Sequence, residues 1–224
     1  EVSQWMHKVL KRKKVDIQTD TMATEIDDEH ILVSIGVEGN SSGFGLKKIG
    51  IEIGSNNHII VDKNGKTNLD NIYAVGDVIG PPWLAHVSSS EGLYVVEHIA
   101  KLSPKKIDYD CVPACTYSKP EIGSIGLSQK ILDERGIDYK VVKSFFNANG
   151  KAVASDSTEG FIKILVSDRN QILGAHIIGS NATEMISEFS LAMSNNLSVE
   201  NILDSIHPHP TFSEAIFETL MQLR

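Results

Sequence analysis

The sequence has few of the features that would identify its class at once. Only two of its 224 residues are cysteine, too few for the disulfide framework of a small secreted protein. No apolar run approaches the roughly 20 residues of a membrane-spanning helix. Basic residues are also in deficit, because 21 Lys and Arg face 29 Asp and Glu, for a net charge of −8. That balance argues against a nucleic-acid-binding surface. With no long apolar run either, neither nucleic acid nor membrane is an expected partner.

What is present fits a globular protein. Hydrophobic residues make up 41% and charged residues 22%, which excludes a wholly disordered chain. At roughly 150 residues per domain, the length suggests one large domain or two small ones. The chain starts at Glu1-Val2-Ser3 with neither an initiator Met nor a signal-like segment. We therefore expect it to be part of a longer protein.

The first half alternates between apolar segments and loops. Apolar residues at helical spacing predict a helix over Glu1–Lys14, whose basic run Lys11–Lys14 is interpreted as a solvated helix end rather than a nucleic-acid patch. A second helix is expected from about Trp83 to Lys101, after Pro81-Pro82. Four short apolar segments are typical of strands: Val15–Gln18, Ile31–Gly36, His58–Asp62 and Asn71–Asp77.

The pattern changes near residue 105. Strand-like segments at Phe161–Val166 and Gln171–Ile178 flank a polar turn and predict a hairpin. Asn181, followed by Glu184, is expected to cap a helix reaching about Asn195. Shorter helices should begin at Ser198 and Thr211. Strands followed by helices predict an α+β domain in this half.

Two segments of the first half carry candidate ligand contacts. Asp77 follows a predicted strand and Gly76, where open α/β sheets bind ligands, although a turn aspartate that caps local backbone is equally compatible. Trp83, Leu84, Ala85 and His86 stand at a helix start, whose N–H groups favour an anionic or electron-rich ligand. An ordinary helix entry with a packed tryptophan is the simpler alternative.

The most unusual segment is His207-Pro208-His209-Pro210-Thr211. Prolines on both sides restrict the backbone of His209, and a positioned histidine is a natural general acid or base near neutral pH. Glu214 lies five residues later and could orient its imidazole. The alternatives are a loop histidine with satisfied hydrogen bonds and a purely structural capping box from Thr211 to Glu214.

The two cysteines point to no redox or metal chemistry. If Cys111–Tyr117 is a strand, Cys111 and Cys115 lie on one face roughly 13 Å apart, beyond the span of a disulfide. We interpret them as unpaired buried thiols. No further ligands stand at suitable spacing, so no metal site is predicted.

Taken together, these segments resemble the dihydrolipoamide dehydrogenase family, which belongs to the FAD-dependent pyridine-nucleotide disulfide oxidoreductases. Asn71–Val78 (NIYAVGDV) resembles the second FAD motif, and Leu84–His86 with Glu91-Gly92 is similar to the flavin-contacting helix start. The strongest similarity is His209–Glu214 (HPTFSE), which resembles His-Pro-Thr-x-Ser-Glu. Further landmarks of the interface domain are Pro120–Gly123, Asn147–Gly150 and Gly174–Ser180.

The resemblance implies a role for each candidate residue. His209 would be the acid/base that deprotonates a dihydrolipoamide thiol, with Glu214 as its partner. Asp77 would bind the FAD ribityl chain, and Trp83, Leu84, Ala85 and His86 would contact the isoalloxazine ring. Gly36 would lie beside NAD and Ala23 near its adenine end. Because the histidine of this family reaches the flavin of the other subunit, a homodimer is implied.

Several family motifs are missing from the chain. It has no N-terminal FAD fingerprint Gly-x-Gly-x-x-Gly, no NAD fingerprint and no redox pair Cys-x-x-x-x-Cys. At the junction of Ile26 and Asp27 the family has a longer, strand-rich stretch that this chain lacks, and Gly36–Asn40 departs from Gly-Arg-x-Pro-Asn. The resemblance thus implies a C-terminal portion with a fold of class α/β plus α+β: residues 1–36 ending an NAD-binding domain, 37–105 a returning FAD-binding segment and 106–224 an α+β dimerisation domain.

The implied function is oxidation of protein-bound dihydrolipoamide with NAD⁺ as acceptor. The implied partners are the lipoyl domains and core of a 2-oxo-acid dehydrogenase complex, in a bacterial cytoplasm or a mitochondrial matrix. A glutathione-reductase-like enzyme of the same architecture is one alternative. A non-catalytic dimerisation module, should the chain be complete, is the other.

Overall fold

The computed structural model describes all residues, 1–224, and divides into two compact units. The first unit joins Glu1–Asp20 to Asp108–Arg224, and the second comprises Thr21–Ile107. No helix has the length and apolar character needed to cross a membrane. The division into residues 1–36, 37–105 and 106–224 stays a prediction, with the first helix grouped here with the C-terminal half.

The first unit is built on a five-stranded, wholly antiparallel sheet. Its strands are β1 (Ala114–Thr116), β2 (Glu121–Gly126), β3 (Lys140–Phe145), β4 (Phe161–Val166) and β5 (Ile172–Gly179). The spatial order is β1-β2-β5-β4-β3. Strand β4 lies inside the sheet and is buried along its whole length, which explains why its sequence reads as a continuous apolar run interrupted only by Lys163.

Helices cover both faces of this sheet. They are α1 (Val2–Arg12), α3 (Gln129–Arg135), α4 (Gly150–Ala154), α5 (Ala182–Ser194), α6 (Val199–Leu203) and α7 (Glu214–Leu220), with α2 in the second unit. Alternate residues of β4, among them Ile162 and Ile164, join the core formed with α5, α6 and α7. On the opposite face, the ring of Trp5 in α1 packs edge-on against Phe161 at 5.5 Å. The helices α5, α6 and α7 therefore rest on a packed sheet.

Most predicted elements of this unit are confirmed. The first helix, the hairpin formed by β4 and β5, and the three helices after Asn181 all form. Asn181 does precede α5, but its side chain makes no cap. The side chain of Glu121 instead accepts hydrogen bonds from the N–H and hydroxyl of Thr183. Ser198 forms the capping box of α6 with Asn201.

The cysteines depart from expectation in one respect. Cys111 and Cys115 form no disulfide, as expected, but both thiols are partly exposed rather than buried. Only Cys115 lies in a strand, β1, at the edge of the sheet. An edge strand has a neighbour on one side only, which leaves its side chains less covered than those of β4.

The second unit contains one long helix, α2 (Ala85–Ile99), and little other regular structure. Extended segments meet at isolated bridges, Ile53 with Ile59 and Lys66 with Tyr73. A short 3-10 helix at Gly76–Ile79 packs against α2. The predicted helix over Trp83–Lys101 is confirmed, with its ends shortened to Ala85 and Ile99.

The predicted strands of the first half are wrong. Val15–Gln18 and Ile31–Gly36 form no strand, and His58–Asp62 and Asn71–Asp77 contribute single bridging residues only. In Ile31–Gly36 the apolar side chains are exposed, including 94% of Leu32. A strand requires a neighbour for its N–H and C=O groups, and no described residue pairs with this segment.

Candidate active site

The structure brings His209 and Glu214 into direct contact. His209 Nδ1 lies 2.8 Å from Glu214 Oε1, and the second carboxylate oxygen accepts the backbone N–H of Thr211 at 2.8 Å. The His209 side chain is 77% exposed, whereas that of Glu214 is 20% exposed. The carboxylate is therefore fixed from two sides, and the other edge of the imidazole faces outward.

Local electrostatics keep Glu214 ionised. The backbone hydrogen bond from Thr211 is the main cause that lowers the pKa of the Glu214 carboxyl below its ordinary value, followed by the hydrogen bond to His209. The charges of His209 and His207 act in the same direction. An ionised carboxylate on Nδ1 holds that nitrogen as a donor, which leaves Nε2 to accept a proton.

Buried groups support the loop that carries His209. Asn149 is 1% exposed and donates from its side-chain nitrogen to the Thr211 carbonyl at 3.1 Å, while its oxygen caps α4 at Ala152. The ring of Phe212 packs against Phe146 at 6.0 Å. The segment Asn147–Gly150, expected only as a family landmark, thus contains a residue that anchors the loop.

A second histidine–glutamate pair lies beside the first and was not predicted. His207 Nε2 is 3.0 Å from Glu188 Oε1, and His207 Nδ1 is 3.2 Å from the Ser205 carbonyl. Glu188 lies on α5, seven residues after Asn181, so no local motif links it to His207. Only the packing of α5 beside the loop reveals the pair.

In the second unit, a buried carboxylate holds the turn that carries Asp77. Glu91 on α2 is 7% exposed and accepts the backbone N–H of Gly76 at 2.6 Å. Gly76 has φ +76°, and a Cβ there would lie 2.8 Å from Ser88 Oγ, so only glycine suits this approach to the helix. Asp77 itself is exposed.

Trp83, Leu84, Ala85 and His86 lie at the beginning of α2, as expected. Leu84 precedes the helix, and its carbonyl accepts the N–H groups of Val87 and Ser88. No side chain caps this end and no acidic residue lies in the first turn, so no carboxylate neutralises the positive end of the helix dipole. The Trp83 ring lies 6.2 Å from that of His58.

Gly36 and Ala23 are exposed and lie outside any helix or strand. Gly36 has φ +125° and nothing within 4 Å of a Cβ built on it. Their role beside NAD therefore stays a prediction.

Comparison with known families agrees with this arrangement. Residues 1–92 match the model described as "Pyridine nucleotide-disulphide oxidoreductase". Residues 112–220, which include both histidine–glutamate pairs, match the model of its dimerisation domain. The chain belongs to the pyridine nucleotide-disulphide oxidoreductase family. The α/β plus α+β fold class is confirmed with it.

Curated members of this family are similar over most of the chain. A dihydrolipoyl dehydrogenase of Bacillus subtilis is 39% identical over 99% of the chain and 51% of its own length. A mitochondrial dihydrolipoyl dehydrogenase of Caenorhabditis elegans is 38% identical over 92% of the chain and 41% of its own length. The chain spans about half the length of these relatives, as expected of a portion of such a protein.

Two solved structures have a similar fold. LpdA from Mycobacterium tuberculosis matches 87% of the chain and 43% of its own, with a TM-score of 0.82 and 28% identity. A flavoprotein disulfide reductase induced by HOCl, RclA from Escherichia coli, matches all of the chain and 55% of its own, with a TM-score of 0.88. Its identity of 23% supports the fold alone.

Proposed function

We propose that the protein containing this chain oxidises protein-bound dihydrolipoamide to lipoamide with NAD⁺ as acceptor, through FAD and a redox disulfide outside this chain. The observation that carries the proposal is the 2.8 Å contact between His209 Nδ1 and Glu214 Oε1 in the dimerisation domain of this family. The dihydrolipoyl dehydrogenases among its relatives give the substrate class.

The two residues have distinct tasks in this proposal. His209 Nε2 removes the proton of a dihydrolipoamide thiol, and the thiolate so formed attacks the redox disulfide. Glu214 keeps the imidazole in the tautomer that accepts this proton and stabilises the imidazolium that results. The imidazole edge that bears Nε2 is uncovered on this single subunit, which suits a site that a second subunit completes.

The second unit supplies groups suited to FAD, which would carry the electron pair on to NAD⁺. The exposed Asp77 carboxylate accepts hydrogen bonds only, which fits the hydroxyl groups of the ribityl chain. The start of α2, at Trp83 to His86, fits an electron-rich ring edge because no acidic side chain stands there. We further propose that Gly36 and Ala23 contact NAD.

The same reasoning extends to partners and location. We propose a homodimer formed through the dimerisation domain, working with the lipoyl domains and core of a 2-oxo-acid dehydrogenase complex. Relatives from bacteria and from mitochondria make the bacterial cytoplasm and the mitochondrial matrix the proposed compartments.

The test is turnover by the full-length gene product. We expect bound flavin and NADH formation from dihydrolipoamide and NAD⁺, and His209→Gln should lower the rate by about 10²- to 10⁴-fold while flavin stays bound. Absence of flavin and of NADH formation would contradict the proposal. Faster turnover of glutathione disulfide with a reduced nicotinamide cofactor would instead favour the glutathione-reductase-like alternative. An intact gene product of about the chain's own 24.5 kDa would favour the non-catalytic module.

A further inference from the structure

His207 is bound far more tightly than the histidine two residues later. Its side chain is 9% exposed, against 77% for His209. Both ring nitrogens of His207 have partners, Glu188 Oε1 at 3.0 Å and the Ser205 carbonyl at 3.2 Å. Its ring also lies against Phe217 of α7, with 5.8 Å between the centroids. His207 therefore connects the loop to α5 and α7 at once.

The backbone between His207 and His209 is short and restricted, so the positions of the two side chains depend on each other. Only Pro208 separates the two histidines, and its ring fixes φ near −65°. The Pro208 carbonyl accepts the hydroxyl of Thr211 at 2.7 Å, so the backbone on the far side of His209 is held as well. A displacement of His207 must therefore move the imidazole of His209 relative to Glu214.

We propose that His207, held by Glu188, is a positioning residue that sets the geometry of the His209–Glu214 pair. The inference rests on the proposed function, because it assigns His207 a task only if His209 is the acid/base. His207 itself touches no reacting atom. Its contribution is the alignment of His209 Nδ1 with the Glu214 carboxylate.

Charged groups surround His207 from each neighbouring element. Glu188 approaches it from α5. Glu214 and Glu218 of α7 line, together with His207, a pocket of about 410 Å³. Asp204, also in the lining, lies 3.9 Å from Arg224. The charge of His207 contributes to the lowered pKa of Glu214. Changes at His207 should therefore alter the pH dependence of turnover as well as its rate.

The test uses four variants of the full-length enzyme. His207→Ala and Glu188→Ala remove the contact from either side, whereas Glu188→Gln keeps an acceptor for His207 Nε2. We expect both alanine variants to lower kcat/KM for dihydrolipoamide roughly tenfold, because sub-ångström displacement of a catalytic group slows proton transfer. The loss should lie mainly in kcat, and the KM for NAD⁺ should not change. Glu188→Gln should stay close to wild type. His98→Ala, on α2 of the other unit, is the control for loss of a histidine.

Two further measurements separate positioning from simple loss of structure. The acidic limb of the kcat/KM profile should move to lower pH in the alanine variants, because a displaced imidazole loses the carboxylate that stabilises its protonated form. A variant that is merely less stable would have a lower melting temperature and a smaller fraction of active enzyme, but the acidic limb of its kcat/KM profile would stay at the wild-type pH. If His207→Ala does not fold, Glu188→Ala carries the test, since the Glu188 side chain is 30% exposed.

Each result decides between the hypotheses. Wild-type kcat and pH profile in Glu188→Ala or a folded His207→Ala variant would overturn the positioning role while leaving the proposed function intact, provided that His209→Gln is inactive. A fully active His209→Gln enzyme would overturn the proposed function and this inference with it. Loss of activity in Glu188→Gln equal to that in Glu188→Ala would also overturn the inference, because the retained acceptor should rescue the geometry.

Discussion

Glu214 uses its two carboxylate oxygens for different partners. One accepts the Thr211 backbone N–H and the other contacts His209. The predicted capping box from Thr211 to Glu214 does not form in full, because α7 begins at Glu214 without a side-chain cap and the Thr211 hydroxyl donates to the Pro208 carbonyl instead. The Thr211 N–H still holds one carboxylate oxygen while the other faces the histidine.

The first prediction concerns turnover of a Glu214→Gln variant. Glutamine keeps the shape but lacks the charge that stabilises protonated His209, so we expect kcat/KM to fall about 10- to 100-fold in the full-length enzyme. Glu218→Gln, one helical turn further along α7, is the matched control and should keep wild-type turnover. Equal rates for Glu214→Gln and wild type would show that the carboxylate has no part in the reaction.

The second prediction concerns stability against acid and uses the same two positions. The pKa of Glu214 is lowered, chiefly by the Thr211 N–H, so its stabilising contribution is present above its ordinary pKa and is lost as pH falls through the folded-state value. The pKa of Glu218 is raised, chiefly by burial and then by Glu214, so its contribution falls as pH rises.

Thermal unfolding across the acidic range checks these opposite signs. Glu214→Gln should lower the melting temperature at neutral pH and flatten its decline in acid. Glu218→Gln should raise or preserve the melting temperature at neutral pH. Both substitutions remove the same formal charge from the same helix, so a general charge effect would change the melting temperature equally at every pH. Parallel curves of melting temperature against pH for the two variants would therefore contradict the opposite pKa shifts of Glu214 and Glu218.

At the scale of elements, periodicity succeeded where a segment has its neighbours within reach. The hairpin of β4 and β5 and the helices α1, α2 and α5 could be predicted because the apolar side of each packs against a neighbouring element. The predicted strand Ile31–Gly36 did not form, because an apolar run does not specify which residues will pair with it. Likewise, β2 and β3 carry short segments in which apolar and polar residues do not alternate regularly, and such segments do not predict a strand.

The candidate site divides in the same way. His209 and Glu214 could be found from five-residue spacing, whereas Asn149 and Glu188 reach the loop from 62 and 19 residues away along the chain. Glu91 belongs to the motif expected at the flavin, but its bond to the Gly76 N–H depends on how the turn meets α2. Contacts of this kind depend on tertiary packing, which local motifs do not encode.

The third prediction tests the turn before α2. Gly76→Ala should destabilise the second unit by about 1–3 kcal/mol, because alanine disfavours φ +76° and its Cβ would clash with Ser88. It should also displace Asp77 and lower flavin content in the full-length enzyme. Gly92→Ala, within α2 and with no atom within 4 Å of its Cβ, is the control and should gain about 0.5–1 kcal/mol. Similar melting temperatures for the two variants would rule out the strained turn.

At the scale of the whole molecule, each unit carries a different part of the proposed machinery. The His209–Glu214 pair belongs to the unit that matches the dimerisation domain, and Asp77 belongs to the other. In a two-fold dimer, a site can be assembled from one subunit's histidine and the flavin held by the other. Such sharing makes activity depend on which subunit carries which substitution.

The fourth prediction follows from that sharing and uses two inactive variants. One full-length subunit carries His209→Gln and the other Asp77→Leu, which removes a proposed flavin contact. In a mixed dimer, the flavin of the first subunit meets the intact His209 of the second, so one of the two sites is complete. Random assembly makes half of the dimers mixed, so we expect about a quarter of wild-type activity after co-expression. Dihydrolipoamide-dependent NADH formation measures it, with each variant alone as control. If every site were built within one subunit, no mixed dimer would contain a complete site, and activity would stay at the level of the single variants.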